Sequence, residues 1–266
     1  MAEALVAGLV RARAVPVRRL HLWDPDPARL RTLSKRYGIR AASSNAEAVL
    51  GRRLVILCVK PQLVRDVARE IAPVLKPDQR VVSIAAGISV ALLEKWFPGR
   101  SVIRAMPNQP AQVGAGMTVL CAGRRTTRDD LRTVETIFQA VGAVSFLPES
   151  KFDAVTALSG SGPAFFYEIL NALIEGGIRL GLPPDTARTL GIETMTGAVQ
   201  TVRATGKPLP ELIAEVVSPR GTTEAGLKSL ERAELKKILF HALKSAAERS
   251  QTIRREWEKT SARKEK

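Results

Sequence analysis

The sequence predicts a doubly wound α/β domain followed by an all-helical domain. Strand-like apolar runs alternate with amphipathic helical segments up to about residue 148, the pattern of an α/β domain with a parallel sheet. Beyond Pro148 only helical periods continue. With 45% hydrophobic and 25% charged residues, the 266-residue chain can bury cores for two medium domains. We therefore expect an α/β domain over residues 1–148 and an all-helical domain over residues 149–266.

Each predicted element has a local signature. "MAEALVAGLVRARA" is an apolar-faced helix, "VRRLHLWDPDP" an apolar run ended by Asp and Pro, and "PARLRTLSKRYG" a helix that Gly38 ends. "RLVILCVKPQ" is typical of a parallel strand covered on both faces. The later segments are predicted as helix, strand, helix, strand, strand, helix and strand: "LVRDVAREIAPVLKP", "RVVSIAAG", "VALLEKWF", "SVIRAMP", "GMTVLCAG", "TRDDLRTVETIFQAVG" and "AVSFLPE".

The chain opens inside its first helix. A doubly wound domain usually has a strand and a glycine-rich turn before that helix, and Gly8 and Gly38 cannot form G-x-G-x-x-G. We interpret this opening as a chain start placed too late, or a truncation, that removes about a dozen residues. The alternative is a protein that has lost the cradle for a pyrophosphate.

Several classes of site are excluded by composition. Cys58 and Cys121 lie far apart without a CxxC pair, which predicts neither a disulfide framework nor a thiolate metal site. His21 and His241 are the only histidines, so a histidine triad or metal cluster is not expected, and no P-loop motif occurs. The expectation is therefore chemistry that a cofactor carries, such as hydride transfer.

The predicted location and partners follow from charge and hydropathy. No apolar run approaches the roughly 20 residues that span a bilayer, and no secretory signal is seen, which favours the cytoplasm. The net charge of +15 raises the question of nucleic acid. Most basic residues are scattered, aromatic residues are few, and Glu265 is among the acids that interrupt the basic tail "RREWEKTSARKEK". We predict neither a nucleic-acid nor a membrane partner.

Three loops follow predicted strands. In an open parallel sheet, ligands bind beyond the carboxyl ends of the strands. The small residues of "SIAAGIS" would let a flat ring approach the backbone, although a tight structural turn explains the same letters. The candidate residues in these loops are Val59, Lys60, Pro61, Ala85, Ala86, Gly87 and Asn108.

The stretch "VVSPRGTTEAGLKSLE" is the clearest candidate for holding a substrate. Ser218, Pro219 and Gly221 predict a turn, and Thr222 or Thr223 can cap the helix that follows. Backbone N–H groups at a helix N-terminus favour a small carboxylate. A plain helix cap remains the alternative.

Together these residues resemble a known family. The segments "VKPQ", "SIAAGIS", "VIRAMPNQP", "GAGMT", "DAVTALSGSGPAF", "GLP" and "SPRGTT" are similar to successive motifs of pyrroline-5-carboxylate reductase, from Met1 to about Arg249. The resemblance implies a Rossmann-like dinucleotide-binding domain and a helical substrate and dimerisation domain. It implies that NADPH or NADH reduces 1-pyrroline-5-carboxylate to L-proline. It also implies a homodimer, possibly a decamer, whose substrate loop lies against a neighbouring subunit's cofactor domain.

The same resemblance assigns roles to the candidate residues. Backbone N–H groups of Gly221, Thr222 and Thr223, with Ser218 beside them, would hold the substrate carboxylate, and the Thr223 hydroxyl would bond the ring nitrogen. Asn45 would contact the adenine-side ribose. The remaining cofactor contacts would come from Cys58, Val59, Lys60 and Pro61 at the centre, and from Ala85, Ala86 and Gly87 on the nicotinamide side. No metal is implied.

Some residues depart from the family pattern. Arg220 stands where a second glycine is usual and places a cation beside the carboxylate site. Asp24 stands where members that prefer NADP often carry a small polar residue. A carboxylate there can accept a hydrogen bond from a ribose 2′-OH and would repel a 2′-phosphate, which favours NADH. Arg29 and Arg31 are close in sequence and could bind a 2′-phosphate, so NADP remains an alternative.

Two other hypotheses compete with the reductase. A noncatalytic or regulatory paralogue would keep the helical dimer and bind an anionic partner; it predicts no response to nicotinamide cofactors and salt-sensitive retention on heparin. A related β-hydroxyacid or imine reductase would rely on a catalytic lysine, which "LSGSGPAFFYE" does not contain.

Overall fold

The computed structural model describes the backbone of residues 1–263 and the side chains up to Ser261. Glu265, one of the acids in the basic tail, lies outside the described residues. The chain forms two compact units. Unit 1 comprises Met1–Ser161 and Ser245–Lys266, and unit 2 comprises Gly162–Lys244.

These units divide the chain differently from the predicted domains 1–148 and 149–266. The segment after residue 148 stays with unit 1 because Phe152 and Val155 are buried in the core of the α/β layers. The C-terminal segment joins the same unit, where the Ser250 hydroxyl donates to the Asp153 carboxylate at 2.8 Å. The domain limits 1–148 and 149–266 stay a prediction from the sequence.

The main sheet of unit 1 has five strands in the order β3-β4-β5-β6-β7, and only the β5–β6 pair is antiparallel. Its strands are β3 Leu54–Leu57, β4 Arg80–Ser83, β5 Ser101–Met106, β6 Gly116–Ala122 and β7 Gly142–Phe146. Central strand residues such as Val81, Val82 and Ile103 are fully buried. This burial is why the strand sequences are near-continuous apolar runs.

A second, two-stranded parallel sheet pairs β1 His21–Leu22 with β2 Arg40–Ala41. The segment "VRRLHLWDPDP" is thus only partly a strand, since a 3-10 turn occupies Val17–Arg19. Within the described residues β1 pairs with β2 alone. The strand is short because its ladder of hydrogen bonds to β2 covers only two residues.

The helices of unit 1 begin and end at residues suited to helix termini. Asp26 caps α2 through the Ala28 N–H at 2.9 Å, and Gly38 ends α2 with a left-handed φ of 67°. Thr127 and Asp130 form a capping box at the start of α6. The helices up to residue 161 are α1 Ala2–Arg11, α2 Pro27–Tyr37, α3 Asn45–Val49, α4 Pro61–Ile71, α5 Val90–Trp96, α6 Arg128–Gln139 and α7 Phe152–Val155. The alternation of strands and helices confirms the predicted fold class.

The rest of the chain is helical, as predicted. A π-helical turn, Thr156–Gly160, precedes the long helices. These are α8 Gly162–Arg179, α9 Pro184–Thr205, α10 Leu209–Val216, α11 Thr222–Arg232 and α12 Leu235–Arg263. Among the described residues, no helix combines the length and apolar character needed to cross a membrane.

Unit 2 leaves much apolar surface uncovered in this single chain. Helices α10 and α11, both wholly described, bury none of their side chains. Leu180, Phe166 and Phe240 are 89%, 57% and 61% exposed. Apolar exposure on this scale marks a surface that another protein chain covers.

Candidate functional site

The structure brings two of the predicted loops together at one edge of the main sheet. Strands β3 and β4 are parallel neighbours with Leu57 opposite Ser83, and the Ile84 N–H donates to the Leu57 carbonyl at 3.3 Å. The loops that follow, residues 58–61 and 85–87, therefore leave the sheet side by side at its carboxyl edge. In open α/β sheets this edge is where ligands bind.

The first loop leads directly into α4. Pro61 is the first residue of α4, and the N-cap residue Lys60 makes no side-chain capping bond. Pro61 has no N–H, and the Leu63 N–H donates to the Lys60 carbonyl at 2.9 Å. Among the described residues, this leaves the Gln62 N–H as the first-turn donor without a partner, close in sequence to the exposed Lys60. A helix N-terminus of this kind, next to a cation, suits a phosphate group.

The second loop makes a tight turn of small residues. The Ser83 hydroxyl accepts from the Ala85 N–H at 3.3 Å, and Gly87 has a left-handed φ of 79°. Glycine is needed at this position because a side chain would be strained there. Ala85 and Gly87 are buried and Ala86 is partly buried, so the turn is compact and carries only small side chains.

The Cys58 thiol is protonated near pH 7. Burial raises the pKa of the Cys58 thiol to about 11, so the side chain stays neutral near pH 7. A neutral buried thiol is neither a nucleophile nor a metal ligand. Among the described residues, no group of three or more His, Cys, Asp or Glu side chains is placed to hold a metal.

Asn108 joins the loop after β5 to the π-helical turn. Its Oδ1 accepts from the Met117 N–H at 2.8 Å, and its Nδ2 donates to the Ser159 carbonyl at 3.2 Å. The amide keeps a second N–H and a second lone pair for other partners. Its contact with a cofactor stays a prediction.

Asn45 and Asp24 belong to elements other than the two strand-end loops. Asn45 is the first residue of α3, and its Nδ2 donates to Glu70 Oε2 of α4 at 2.8 Å. Asp24 follows β1 in the smaller sheet, where its carboxylate accepts from the Asp26 N–H at 3.0 Å and lies 3.8 Å from Arg29 Nε. Both side chains keep polar atoms at the surface of unit 1.

Sequence analysis missed a buried ion pair beneath this edge. Arg104 on β5 is 2% exposed, and its Nη1 donates to Glu149 Oε1 at 2.8 Å. The same oxygen accepts from the Val90 N–H at 2.7 Å. The guanidinium also lies 4.6 Å from the centre of the Phe152 ring. A charged residue inside the "SVIRAMP" strand was the available signal, because a buried charge requires a partner.

In unit 2, the segment "SPRGTT" forms the turn between α10 and α11. The Gly221 N–H donates to the Ser218 carbonyl at 3.0 Å. A Cβ on Gly221 would lie 2.2 Å from Ser218 Oγ, so a larger residue would require the Ser218 side chain to move. Thr222 and Thr223 open α11, and their N–H groups have no hydrogen-bond partner among the described residues.

Gly221 is one of the residues predicted to hold the substrate carboxylate. Its N–H donates to the Ser218 carbonyl inside the turn in this structure, and its role toward a substrate stays a prediction. The Arg220 N–H is also used, since it donates to Glu224 Oε2 at 2.5 Å. The hydrogen bond from Lys228 and that from the Arg220 N–H lower the pKa of Glu224, which stays ionised. The open donors are therefore those of Thr222 and Thr223.

Arg220 adopts a left-handed conformation, with φ of 58°, that a non-glycine residue rarely takes. We expect Arg220→Gly to raise the free energy of unfolding by about 1 kcal/mol, because glycine removes this strain. Chemical denaturation measures the change. The control is Arg188→Gly, at an exposed position inside α9, which should lower stability by about 1 kcal/mol. Equal losses in both variants would contradict the prediction.

Two family models match the chain. Residues 149–253 match the model described as pyrroline-5-carboxylate reductase dimerisation. Residues 1–87 match the model described as NADP oxidoreductase, coenzyme F420-dependent.

Whole-chain comparisons find relatives of similar length. Pyrroline-5-carboxylate reductase of Pisum sativum is 38% identical over 95% of this chain and 92% of its own length. The protein of that name from Pseudomonas aeruginosa is 39% identical over 94% of this chain and 92% of its own. Among solved structures, the Coxiella burnetii pyrroline-5-carboxylate reductase has a TM-score of 0.90 at 33% identity, covering 95% and 94% of the two chains. The Plasmodium falciparum enzyme, solved with NADP bound, has a TM-score of 0.85 at 29% identity, covering 94% and 93%.

Proposed function

Because this chain belongs to the pyrroline-5-carboxylate reductase family, we propose that it reduces 1-pyrroline-5-carboxylate to L-proline with NADPH or NADH, the last step of proline biosynthesis. The observation that carries the proposal is likeness over nearly the whole chain, at 38% identity to the pea enzyme. The relatives and structural neighbours give no support to the noncatalytic alternative.

The residues at the sheet edge fit a dinucleotide cofactor. Lys60 and the N-terminus of α4, where the Gln62 N–H is open, offer positive charge and a donor to phosphate. The small residues of the turn at 85–87 are assigned to the nicotinamide side. Pro61 fixes the start of α4, and Cys58 and Val59 line the approach as neutral residues. Asn45, at the start of α3, is assigned to the adenine-side ribose.

The open end of α11 is assigned to the substrate. The N–H groups of Thr222 and Thr223 would hold the carboxylate, with the positive end of the helix dipole behind them. Ser218 and Arg220 flank this position in the preceding turn. The Thr223 hydroxyl would donate to the ring nitrogen.

In this reaction the protein has to orient the substrate and polarise its C=N bond. A bound NADPH or NADH would supply a hydride to the C=N carbon of the protonated imine, and the π electron pair would move to the nitrogen to leave a neutral secondary amine. A hydrogen-bond donor at the nitrogen stabilises that change, and fixed carboxylate contacts keep the carbon in one position. Thr222 and Thr223 are the groups that we assign to these tasks.

The direct test is cofactor oxidation. Purified protein is mixed with 1-pyrroline-5-carboxylate and either NADPH or NADH, and loss of absorbance at the reduced-nicotinamide band is followed together with proline formation. We expect oxidation that depends on the substrate and one proline for each cofactor oxidised. Absence of turnover with both cofactors, in protein that binds them, would refute the proposal.

The same proposal includes assembly as a homodimer, possibly as a decamer. It is supported by the match to a dimerisation model and by the exposed apolar side chains of unit 2, such as Leu180 and Phe240. Light scattering on the purified protein distinguishes a monomer, a dimer and a decamer by mass.

A cytoplasmic location without nucleic-acid or membrane partners also belongs to the proposal. It is supported by the two cysteines, which are both free. Part of the basic charge is neutralised within the fold, as in the pairs Arg36–Glu3 and Arg80–Asp129, at 3.2 and 3.1 Å. Retention on heparin at physiological salt would argue against this part.

Asp24 is the residue that we expect to set the preference between NADH and NADPH. Asp24→Ser removes a carboxylate that would repel a 2′-phosphate, and it frees Arg29, now 3.8 Å away, to attract one. We expect the ratio of kcat/KM for NADPH to that for NADH to rise about tenfold. Asp66→Ser, which breaks an Asp–Arg pair of 3.9 Å on α4, is the control and should leave the ratio unchanged. An unchanged ratio in Asp24→Ser would exclude this role.

A further inference from the structure

The C-terminal end of α12 lies against the turn that follows β4. A Cβ built on Gly87 would lie 2.6 Å from Ile253 Cγ2 and 3.3 Å from Trp257 Cδ1. Trp257 also packs against the core cluster that contains Ala85 and Ile88. The turn is therefore held from the sheet on one side and from α12 on the other.

Polar contacts fix this part of α12 to unit 1. Ser250 Oγ donates to Asp153 Oδ1 at 2.8 Å, and Arg254 Nη2 donates to Asp153 Oδ2 at 3.1 Å. Asp153 and Ser250 are 9% and 5% exposed, so these contacts are shielded from water. Ser261, further along the helix, is 4% exposed. The contact therefore extends over several helical turns, residues 250–261, which we name the C-terminal brace.

Most of the brace lies beyond the part of the chain that the dimerisation model matches. That match ends at residue 253, so Arg254, Trp257 and Ser261 fall outside it. Trp257 and the Arg254 backbone lie near Gly87, and the Arg254 side chain donates to Asp153.

We propose that the C-terminal brace, through Trp257 and Arg254, positions the turn at residues 85–87 and so pre-orders the nicotinamide side of the cofactor site. The cofactor assignment rests on the proposed function, whereas the packing itself does not. A turn with a left-handed glycine has few side-chain contacts of its own, so an external support restricts its motion. Cofactor binding then requires less ordering of the turn, and the nicotinamide ring is held closer to one geometry.

The first measurement needs no cofactor. Amide hydrogen exchange of the peptide covering residues 83–90 is compared in the wild type, Trp257→Ala, Trp257→Phe and Arg254→Ala. We expect about tenfold faster exchange in Trp257→Ala, a smaller increase in Arg254→Ala, and near wild-type exchange in Trp257→Phe, which keeps an aromatic ring. Arg255→Ala is the matched control, because Arg255 is the exposed neighbour on the same helix.

The second measurement distinguishes an effect on the position of the turn at residues 85–87 from a general loss of protein stability. In Trp257→Ala and Arg254→Ala we expect the Kd and KM for reduced cofactor to rise about tenfold, while the KM for 1-pyrroline-5-carboxylate changes less than twofold. Trp257→Phe should restore most of the affinity. If Trp257→Ala does not fold, Arg254→Ala carries the same test.

The outcomes distinguish this inference from the proposed function. Unchanged exchange at residues 83–90 in folded Trp257→Ala would overturn the inference, whatever the wild-type activity. Faster exchange in Arg255→Ala equal to that in Arg254→Ala would overturn it too. Faster exchange in Trp257→Ala and Arg254→Ala, together with a wild type that reduces no 1-pyrroline-5-carboxylate, would leave the brace established and refute only its link to that reaction.

Discussion

Thr223→Val is expected to lower kcat/KM for 1-pyrroline-5-carboxylate by about 10²-fold, mostly through kcat. The hydroxyl is the group that we assign to the ring nitrogen, where charge changes most during the reaction, and loss of one such donor typically costs this much. Valine keeps the shape and the backbone N–H, so the carboxylate contact should persist. Steady-state kinetics with varied substrate at saturating cofactor measures the effect.

Two companion variants decide what a loss in Thr223→Val means. Thr223→Ser keeps a hydroxyl and should recover most of the activity. Ser229→Ala removes an exposed hydroxyl from the same helix, α11, and should behave as the wild type. Equal activity of the valine and serine variants would show that the hydroxyl has no part in the reaction.

Glu149→Ala is expected to lower the free energy of unfolding by about 3 kcal/mol. The change leaves the guanidinium of Arg104, 2% exposed, without its carboxylate, and it leaves the Val90 N–H without its acceptor. Removing one partner of a buried ion pair typically costs 3–5 kcal/mol, and Glu149 is partly exposed, which places this case at about the lower end. Urea denaturation measures the loss.

A second arginine–glutamate pair provides the comparison. Arg124 Nε lies 2.8 Å from Glu94 Oε2, the same separation as in the buried pair, but the Arg124 side chain is 88% exposed. Arg124→Ala should therefore cost less than about 1 kcal/mol. The double variant Arg104→Met with Glu149→Ala should be more stable than Glu149→Ala alone, because it removes the unpaired buried charge. Equal losses in the buried and exposed pairs would contradict this explanation.

The exposed and buried pairs also illustrate what could be predicted from sequence. The sequence predicts strand β5 from "SVIRAMP" and a strand from "AVSFLPE", which ends at Glu149, a residue of a 3-10 turn in the structure. Nothing local indicates that Arg104 reaches Glu149, 45 residues later. The segment "VRRLHLWDPDP" was expected as one strand but forms a strand of two residues. In each case the outcome depends on which distant chain segment supplies the hydrogen-bond or ionic partner.

Some features of the candidate site could also be predicted from the sequence, and others could not. The loops at residues 58–61 and 85–87 could be predicted, because parallel strands of one sheet end at a common edge. The use of Asn108 in bonding Met117 and Ser159 could not, nor could the pairing of the Gly221 N–H inside its own turn. The positions of individual atoms in the folded chain decide which N–H groups lack an intramolecular hydrogen-bond partner.

The amino-acid sequence by itself determined the order of strands and helices, the carboxyl-edge loops and the family, because hydrophobic periodicity, turn residues and motif spacing are local along the chain. Only the tertiary structure decided which polar groups are already paired and that residues 250–261 lie against the turn after β4. Those contacts join side chains more than 90 residues apart, as Asp153 and Ser250 show. Their formation depends on burial and packing of the folded chain, which no local pattern encodes.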